Sequence, residues 1–288
     1  MRKLVGIIFI LGLFSYFVFT KKGTVARNVA YSYVIDANFI EESGTTVSER
    51  ILTPENFRRA KYPEGSFSNY IQNYALKSFD AKIINFDGEE YIYQKGHVGV
   101  LEVPVPKNGL QQCADALIRI RSEYLWEQNR KSEIGFNFTS GHYCSWKKYA
   151  EGYRPKVKGN NVTFHKTASK DTSKENFYKY LNLIYIYAGT QSLYTELKKI
   201  EWADDLEVGD MIVKPGFPGH IVMIADKATD ANGKNLFILA QGNTPAQSVH
   251  LLKNLNDSTL NPWYELEANA YLEIPTYYFN QTKFVRFK

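Results

Sequence analysis

Uncharged, mostly apolar residues run from position 4 to position 20, with Arg2 and Lys3 before them and Lys21 and Lys22 after them. A terminal run that is apolar all round and bracketed by basic residues has the layout of a secretory signal or a single membrane anchor. It ends Ser15-Tyr16-Phe17-Val18-Phe19-Thr20, without the small residues that precede a signal-peptidase cut. Its length sits at the lower limit for crossing a bilayer core, so the pattern favours a retained anchor with the rest of the chain exported. A polar stretch follows to about position 49. Tyr62-Pro63-Glu64-Gly65-Ser66 then reads as a turn into a short helix carrying Tyr70, Ile71 and Tyr74. Residues 81–85 and 91–93 flank Asp87-Gly88, a pair that tolerates positive φ, and predict a hairpin. Residues 98–105 alternate as an extended segment.

From 110 to 128 the apolar residues Leu110, Ala114, Leu117, Ile118, Tyr124 and Leu125 recur at three- and four-residue spacing, which predicts an amphipathic helix. A second helix is predicted from 174 to about 188, broken near Gly189-Thr190 and resumed over 192–199. Its middle, 181–187, is nearly all apolar and is expected to be the central buried helix. The period then changes. Residues 209–213, 221–225 and 236–240 are short β-favouring runs, and Asn232-Gly233 between the last two is a hairpin signal. Folding back at that turn brings His220 opposite residues 241–244, within reach of Gln241 or Asn243.

These elements describe an α+β chain in which a helix packs on an antiparallel sheet. The organisation expected is a signal or anchor over 1–22, an N-terminal layer over 23–108 and a core over 109–288, with no internal repeat. Of 288 residues, 44% are hydrophobic and 23% charged, a globular balance that excludes a disordered or fibrous chain. The 35 Lys and Arg against 30 Asp and Glu leave +5, with no basic stripe to imply a nucleic-acid partner. Two cysteines, Cys113 and Cys144, allow at most one bridge, which an exported chain could form. His97, His142, His165, His220 and His250 lack metal-ligand spacing, and no glycine-rich phosphate loop is present, so no metal or cofactor is expected.

The candidate chemistry lies in Gln111-Gln112-Cys113-Ala114-Asp115 at a helix start, Gly219-His220 on a strand and Gln241 on its neighbour. A helix N-terminus favours a thiolate. A histidine supplies base and acid, and an amide on its far nitrogen fixes the ring. The Cys113 N–H and the Gln111 or Gln112 amide are candidate oxyanion donors. Around them, Gln112, Arg119, Asn243, Gln247, Trp263 and Tyr264 are candidate substrate contacts: Arg119 as a clamp for a carboxylate, the aromatic pair as a wall for a peptide or sugar. Equally, a lone helical cysteine is most often a small core residue, and such arginines often pair internally.

The order of helix cysteine, strand histidine and next-strand amide resembles papain-like thiol hydrolases, and the Gly-Asp and Gly-His strand starts resemble the cell-wall peptidase families NlpC/P60 and CHAP. Longer strings are similar to a bacterial family known as domain of unknown function 4846: Leu110-Gln111-Gln112-Cys113-Ala114-Asp115-Ala116, Gly152-Tyr153-Arg154-Pro155, Tyr187-Ala188-Gly189-Thr190, Pro218-Gly219-His220, Leu239-Ala240-Gln241, Pro245-Ala246-Gln247 and Pro262-Trp263-Tyr264. Gly242-Asn243-Thr244 departs from the bulkier stretch expected there. That family brings no reaction with it, but it supports a site at Cys113, His220 and Gln241. Together the resemblances imply a papain-like core and an exported thiol hydrolase or transferase acting on amide bonds, with cell-wall peptide as the leading substrate class. It would work in the cell envelope or periplasm, held to the membrane by residues 4–20. The alternative is a non-catalytic envelope module that binds peptide or glycan in the same cleft. The oligomeric state is left open.

Overall fold

The structure, a computed structural model, describes residues 23–288, so the expected anchor over 4–20 lies outside the described residues. Among the described residues no helix is long and apolar enough to cross a membrane. The architecture is a mixed α/β one, built on a sheet of eight strands in which every pairing is antiparallel.

Helices α1 (Thr24–Ser32), α2 (Val47–Arg50) and α3 (Phe67–Gln72), with strands β1 (Phe57–Arg59) and β2 (His97–Val100), form the N-terminal layer. The turn at Ser66 starts α3 as expected, its hydroxyl accepting from the Asn69 N–H. The turn at Asp87-Gly88 closes only a narrow ladder, with a single bridge between Ile84 and Glu90. Beyond it lie α4 (Cys113–Glu127), the small hairpins β3–β4 (Gly135–Asn137, Tyr143–Ser145) and β5–β6 (Tyr153–Lys158, Asn161–Lys166), α5 (Trp146–Ala150), α6 (Lys174–Tyr187) and α7 (Thr190–Glu196). The remaining strands are β7 (Lys198–Ile200), β8 (Met211–Lys214), β9 (His220–Asp230), β10 (Asn235–Gln241), β11 (His250–Leu252), β12 (Leu272–Ile274), β13 (Tyr277–Phe279) and β14 (Phe284–Arg286). In the main sheet the order is β2-β11-β10-β9-β8-β14-β7, with β1 paired to the far end of β9. The N-terminal layer therefore gives two strands to the sheet, and its Val47, Ile51 and Ile71 join the same core as the rest.

The central buried helix is α4, not α6. Every residue from Cys113 to Leu125 is buried, whereas Ile186 of α6 is 57% exposed. Spacing alone hid this, because α4 carries charges on the sides away from its apolar stripe, and those charges are answered internally. Arg119 pairs with Glu123 at 2.9 Å, Tyr178 donates to the same carboxylate at 2.8 Å, and the Arg121 guanidinium lies over the rings of Phe67, Tyr124 and Phe287.

The hairpin between β9 and β10 turns at Asp230, whose carboxylate accepts the N–H groups of Asn232 and Lys234 while Gly233 supplies a φ of +86°. Pairing starts at Asn235 opposite Thr229 and shifts by one residue at Ile238/Leu239, so that Ala240 ends opposite Met223. Without that bulge Gln241 would sit opposite Met223 and face away from His220, since side chains alternate along a strand. The shift turns Gln241 onto the face that carries His220.

Candidate functional site

Two close approaches seat the helix and the strand ends against each other. Immediately after Gln241, Gly242 lies on the start of α4, where a Cβ would meet the Ala116 Cβ at 2.9 Å and the Gln112 carbonyl at 3.2 Å. A bulkier residue would push strand and helix apart, which accounts for glycine at that position. Before His220, Gly219 lies under α7, where a Cβ would meet the Thr190 Oγ1 at 2.1 Å. Both glycines bring backbone within contact distance of a helix start and so hold His220 and Gln241 in place.

Cys113 is the first residue of α4, 7% exposed. The backbone N–H groups of Ala114 and Ile221 lie near enough to its sulfur to favour the thiolate, so the thiol is close to the strand residue that follows His220. Among the described residues no hydrogen bond joins the sulfur to the imidazole. His220 is 3% exposed, and its Nε2 lies 2.8 Å from the Gln241 Oε1. The ring is covered by Tyr277, with centroids 4.6 Å apart, and flanked by Phe279 at 6.0 Å. On the far side of Gln241, its Nε2 lies 3.2 Å from the His250 Nε2 and 3.1 Å from the Thr276 Oγ1. His250 in turn has Nδ1 2.9 Å from the Ser248 carbonyl.

Burial decides the charge state of these groups. It pushes the Cys113 thiol up to about 11, helped by the negative charge of Asp115 and opposed by the N–H groups around the sulfur. Burial also pushes His220 down to about 4, against the opposing effect of its bond to Gln241, and takes His250 to about 4 as well. Asp115 is raised to about 7 by burial; one carboxylate oxygen accepts the Gln112 N–H at 3.0 Å and the other has no partner. The expectation that the helix start lowers the thiol is thus reversed, because taking a thiolate out of water costs more than two or three oriented N–H groups return. At neutral pH both the thiol and the imidazole are therefore neutral.

His220 and Gln241 are bonded to each other, and the Cys113 backbone packs against Gly242, the residue after Gln241, with Gln112 exposed and Asn243 half-buried beside it. Gln112 is exposed and its Oε1 accepts from the Thr244 hydroxyl at 3.0 Å, while the Asn243 amide donates to Thr276 at 3.3 Å. Of the two glutamine amides considered as oxyanion donors, the Gln111 side chain is spent internally, donating to the Pro104 carbonyl and accepting from Arg119. Arg119, bound to Gln111, Pro104 and Glu123, is likewise no free clamp. Gln247 is fully buried, its backbone bridged to Asn85, its amide donating to the Pro245 carbonyl and its Oε1 unpartnered. Trp263 and Tyr264 are core, not a cleft wall. Trp263 is 0% exposed with its indole donating to the Leu52 carbonyl, and Tyr264 is bridged to Phe237 with its hydroxyl on the Lys253 carbonyl. Both cysteines are free, so the expected alternative of a Cys113–Cys144 bridge is not formed.

Thr276 and Tyr277, on the hairpin β12–β13, belong to no motif in the sequence. A signal existed: Pro275-Thr276 separates two β-favouring triplets, Leu272–Ile274 and Tyr277–Phe279, which is hairpin syntax. Among the described residues no group of three His, Cys, Asp or Glu side chains is placed to hold a metal ion.

Residues 47–286 match the family model for domain of unknown function (4846), and the chain belongs to that family. No curated protein and no solved structure matches it.

Proposed function

We propose that this protein is a thiol hydrolase or transferase acting on amide bonds, with a papain-like arrangement of Cys113, His220 and Gln241 and with cell-wall peptide as its substrate class. The observation that carries the reading is the His220–Gln241 bond on the strand ends against which the Cys113 helix start is packed. In this mechanism the Cys113 sulfur attacks the carbonyl carbon while His220 takes the thiol proton. The C–N bond then breaks as the proton passes to the leaving amine, and water or an acceptor amine attacks the thioester to release the acyl group. Gln241 holds the ring. The Cys113 N–H and the Gln112 amide are the donors nearest the developing oxyanion. An exported, membrane-held body would present this site to the cell wall.

The experiment is digestion of purified peptidoglycan fragments by the protein and by Cys113→Ala, with products and any acyl adduct on Cys113 read by mass spectrometry. Products from the parent alone support the reading. Equal product from both proteins, or none from either, overturns it. One observation favours a second reading, a non-catalytic envelope module: a buried thiol held protonated has no need to react. In that case binding of the same fragments survives Cys113→Ser and is lost on changing the rim residues Gln112 and Asn243.

A further inference from the structure

We infer that His250 is a positioning residue for this site: through Gln241 it sets which nitrogen of His220 carries the proton, and the Ser248 carbonyl is the fixed point from which that setting starts. The kinetic part of the inference rests on the proposed Cys113–His220–Gln241 reading, while the tautomer itself does not.

The argument follows the protons outward from a group that has no choice. A backbone carbonyl only accepts, so the 2.9 Å contact from Ser248 requires the hydrogen on the His250 Nδ1. His250 is fully enclosed and neutral, which leaves its Nε2 a bare acceptor. Facing that nitrogen at 3.2 Å, the Gln241 amide has to present its NH2 end, because a carbonyl oxygen there would set two lone pairs against each other between two buried side chains. The Gln241 oxygen is thereby turned toward His220, 2.8 Å away, and can only be satisfied by a hydrogen on the His220 Nε2. The His220 Nδ1 is left with its lone pair, the state a proton acceptor needs.

Thr276 cannot do this work. Its hydroxyl also contacts the Gln241 nitrogen, at 3.1 Å, but a hydroxyl donates or accepts as required and would serve either orientation of the amide. The three side chains lie on successive strands β9, β10 and β11, with His250 directly opposite Gln241 in the ladder, so the setting is carried by the register of the sheet.

The test reads the ring nitrogens directly. In 15N-histidine-labelled protein at neutral pH, chemical shifts distinguish protonated from bare nitrogens; the parent is expected to show His220 as a single Nε2–H form and His250 as Nδ1–H. An Nδ1–H form of His220 in the parent overturns the inference, whatever the variants do. His250→Leu is expected to split His220 into two tautomers, and Thr276→Val to leave it single. A single unchanged Nε2–H form in folded His250→Leu, or an equal split in Thr276→Val, also overturns it. Once turnover is measured, His250→Leu is expected to lower kcat roughly tenfold or more with KM unchanged. The spectrum needs no substrate, so a protein that cleaves nothing leaves the tautomer result standing, and a wrong tautomer leaves the Cys113→Ala comparison intact.

Discussion

The surroundings of the two cysteines differ in a way that their burial does not. Cys113 and Cys144 are 7% and 3% exposed, and burial raises both thiols, to about 11 and about 12. Around Cys144, on β4, the neighbours are rings: Trp146, Tyr149, Phe177 and Tyr180 meet at centroid distances of 5.4 to 6.2 Å, and the Tyr180 hydroxyl donates to the Cys144 carbonyl. Cys113 instead lies at a helix start near the backbone of Ile221, on the strand whose first residue, His220, opens the hydrogen-bonded row His220, Gln241, His250. Neither enclosure nor a raised thiol pKa therefore tells the two regions apart. What separates the regions is whether the buried groups bring donors and acceptors whose directions are already fixed.

Four measurements would break or sharpen that contrast. The largest effect is expected in turnover: Cys113→Ala should lower it at least a thousandfold, about 4 kcal/mol in the barrier, while Cys144→Ala leaves it unchanged. Steady-state rates on peptidoglycan fragments decide it, and an equal loss in both variants would erase the distinction. Next, Trp146→Ala should cost about 3 to 5 kcal/mol of stability in urea unfolding, since that region consists of packing. A cost near zero would show that the rings around Cys144 are not a core.

The third measurement is pH dependence. His220 and His250 are lowered from 6.5 to about 4, so the folded state binds protons less readily than the unfolded one. Their contribution is fully present above about 6.5 and is lost as pH falls toward 4, at about 2 to 3 kcal/mol per ring. Asp115, raised to about 7, acts in the opposite sense and lowers stability as pH rises from about 4 to about 7. Urea titrations at pH 7 and 4.5 in the parent and in His250→Leu should show a smaller acid loss in the variant; an identical loss would mean that His250 is not the group being protonated. The smallest effect is expected from Asp115→Asn, which removes a charge that holds the Cys113 thiol up. Iodoacetamide labelling should quicken a few-fold at Cys113 and not at Cys144, as a depressed thiol pKa predicts. Equal acceleration at both would point to general loosening.

Much of the architecture was legible from spacing. The helices over 113–127 and 174–187, the break before Thr190, the turn at Asn232-Gly233 and the return of the chain near Gln241 to the level of His220 follow from local periodicity and turn chemistry, which act over a few residues. Less legible was rank. The nearly all-apolar middle of α6 looked more central than α4, because periodicity measures which face is apolar and not what else packs around a helix that also carries arginines. Trp263 and Tyr264 looked like a cleft wall for the same reason: an aromatic pair is equally at home in a core, and only their contacts with Leu52, Lys253 and Phe237 tell the two apart. Arg119 read as a clamp until Gln111, Pro104 and Glu123 were seen to occupy its donors.

Local chemistry in the chain was enough to place a cysteine at a helix start and to pair a histidine after a glycine at a strand start with an amide one strand away. Their working state came from long-range geometry. A one-residue bulge at Ile238/Leu239 chose the face that Gln241 occupies, and burial set the charges of Cys113 and His220 against the local helix dipole. The carbonyl of Ser248 fixed protons two strands away through groups that have no sequence relation to one another. Spacing carries the first kind of information because turns and helices are short-range objects. Desolvation and proton placement depend on everything that surrounds an atom, and only the folded chain supplies those surroundings.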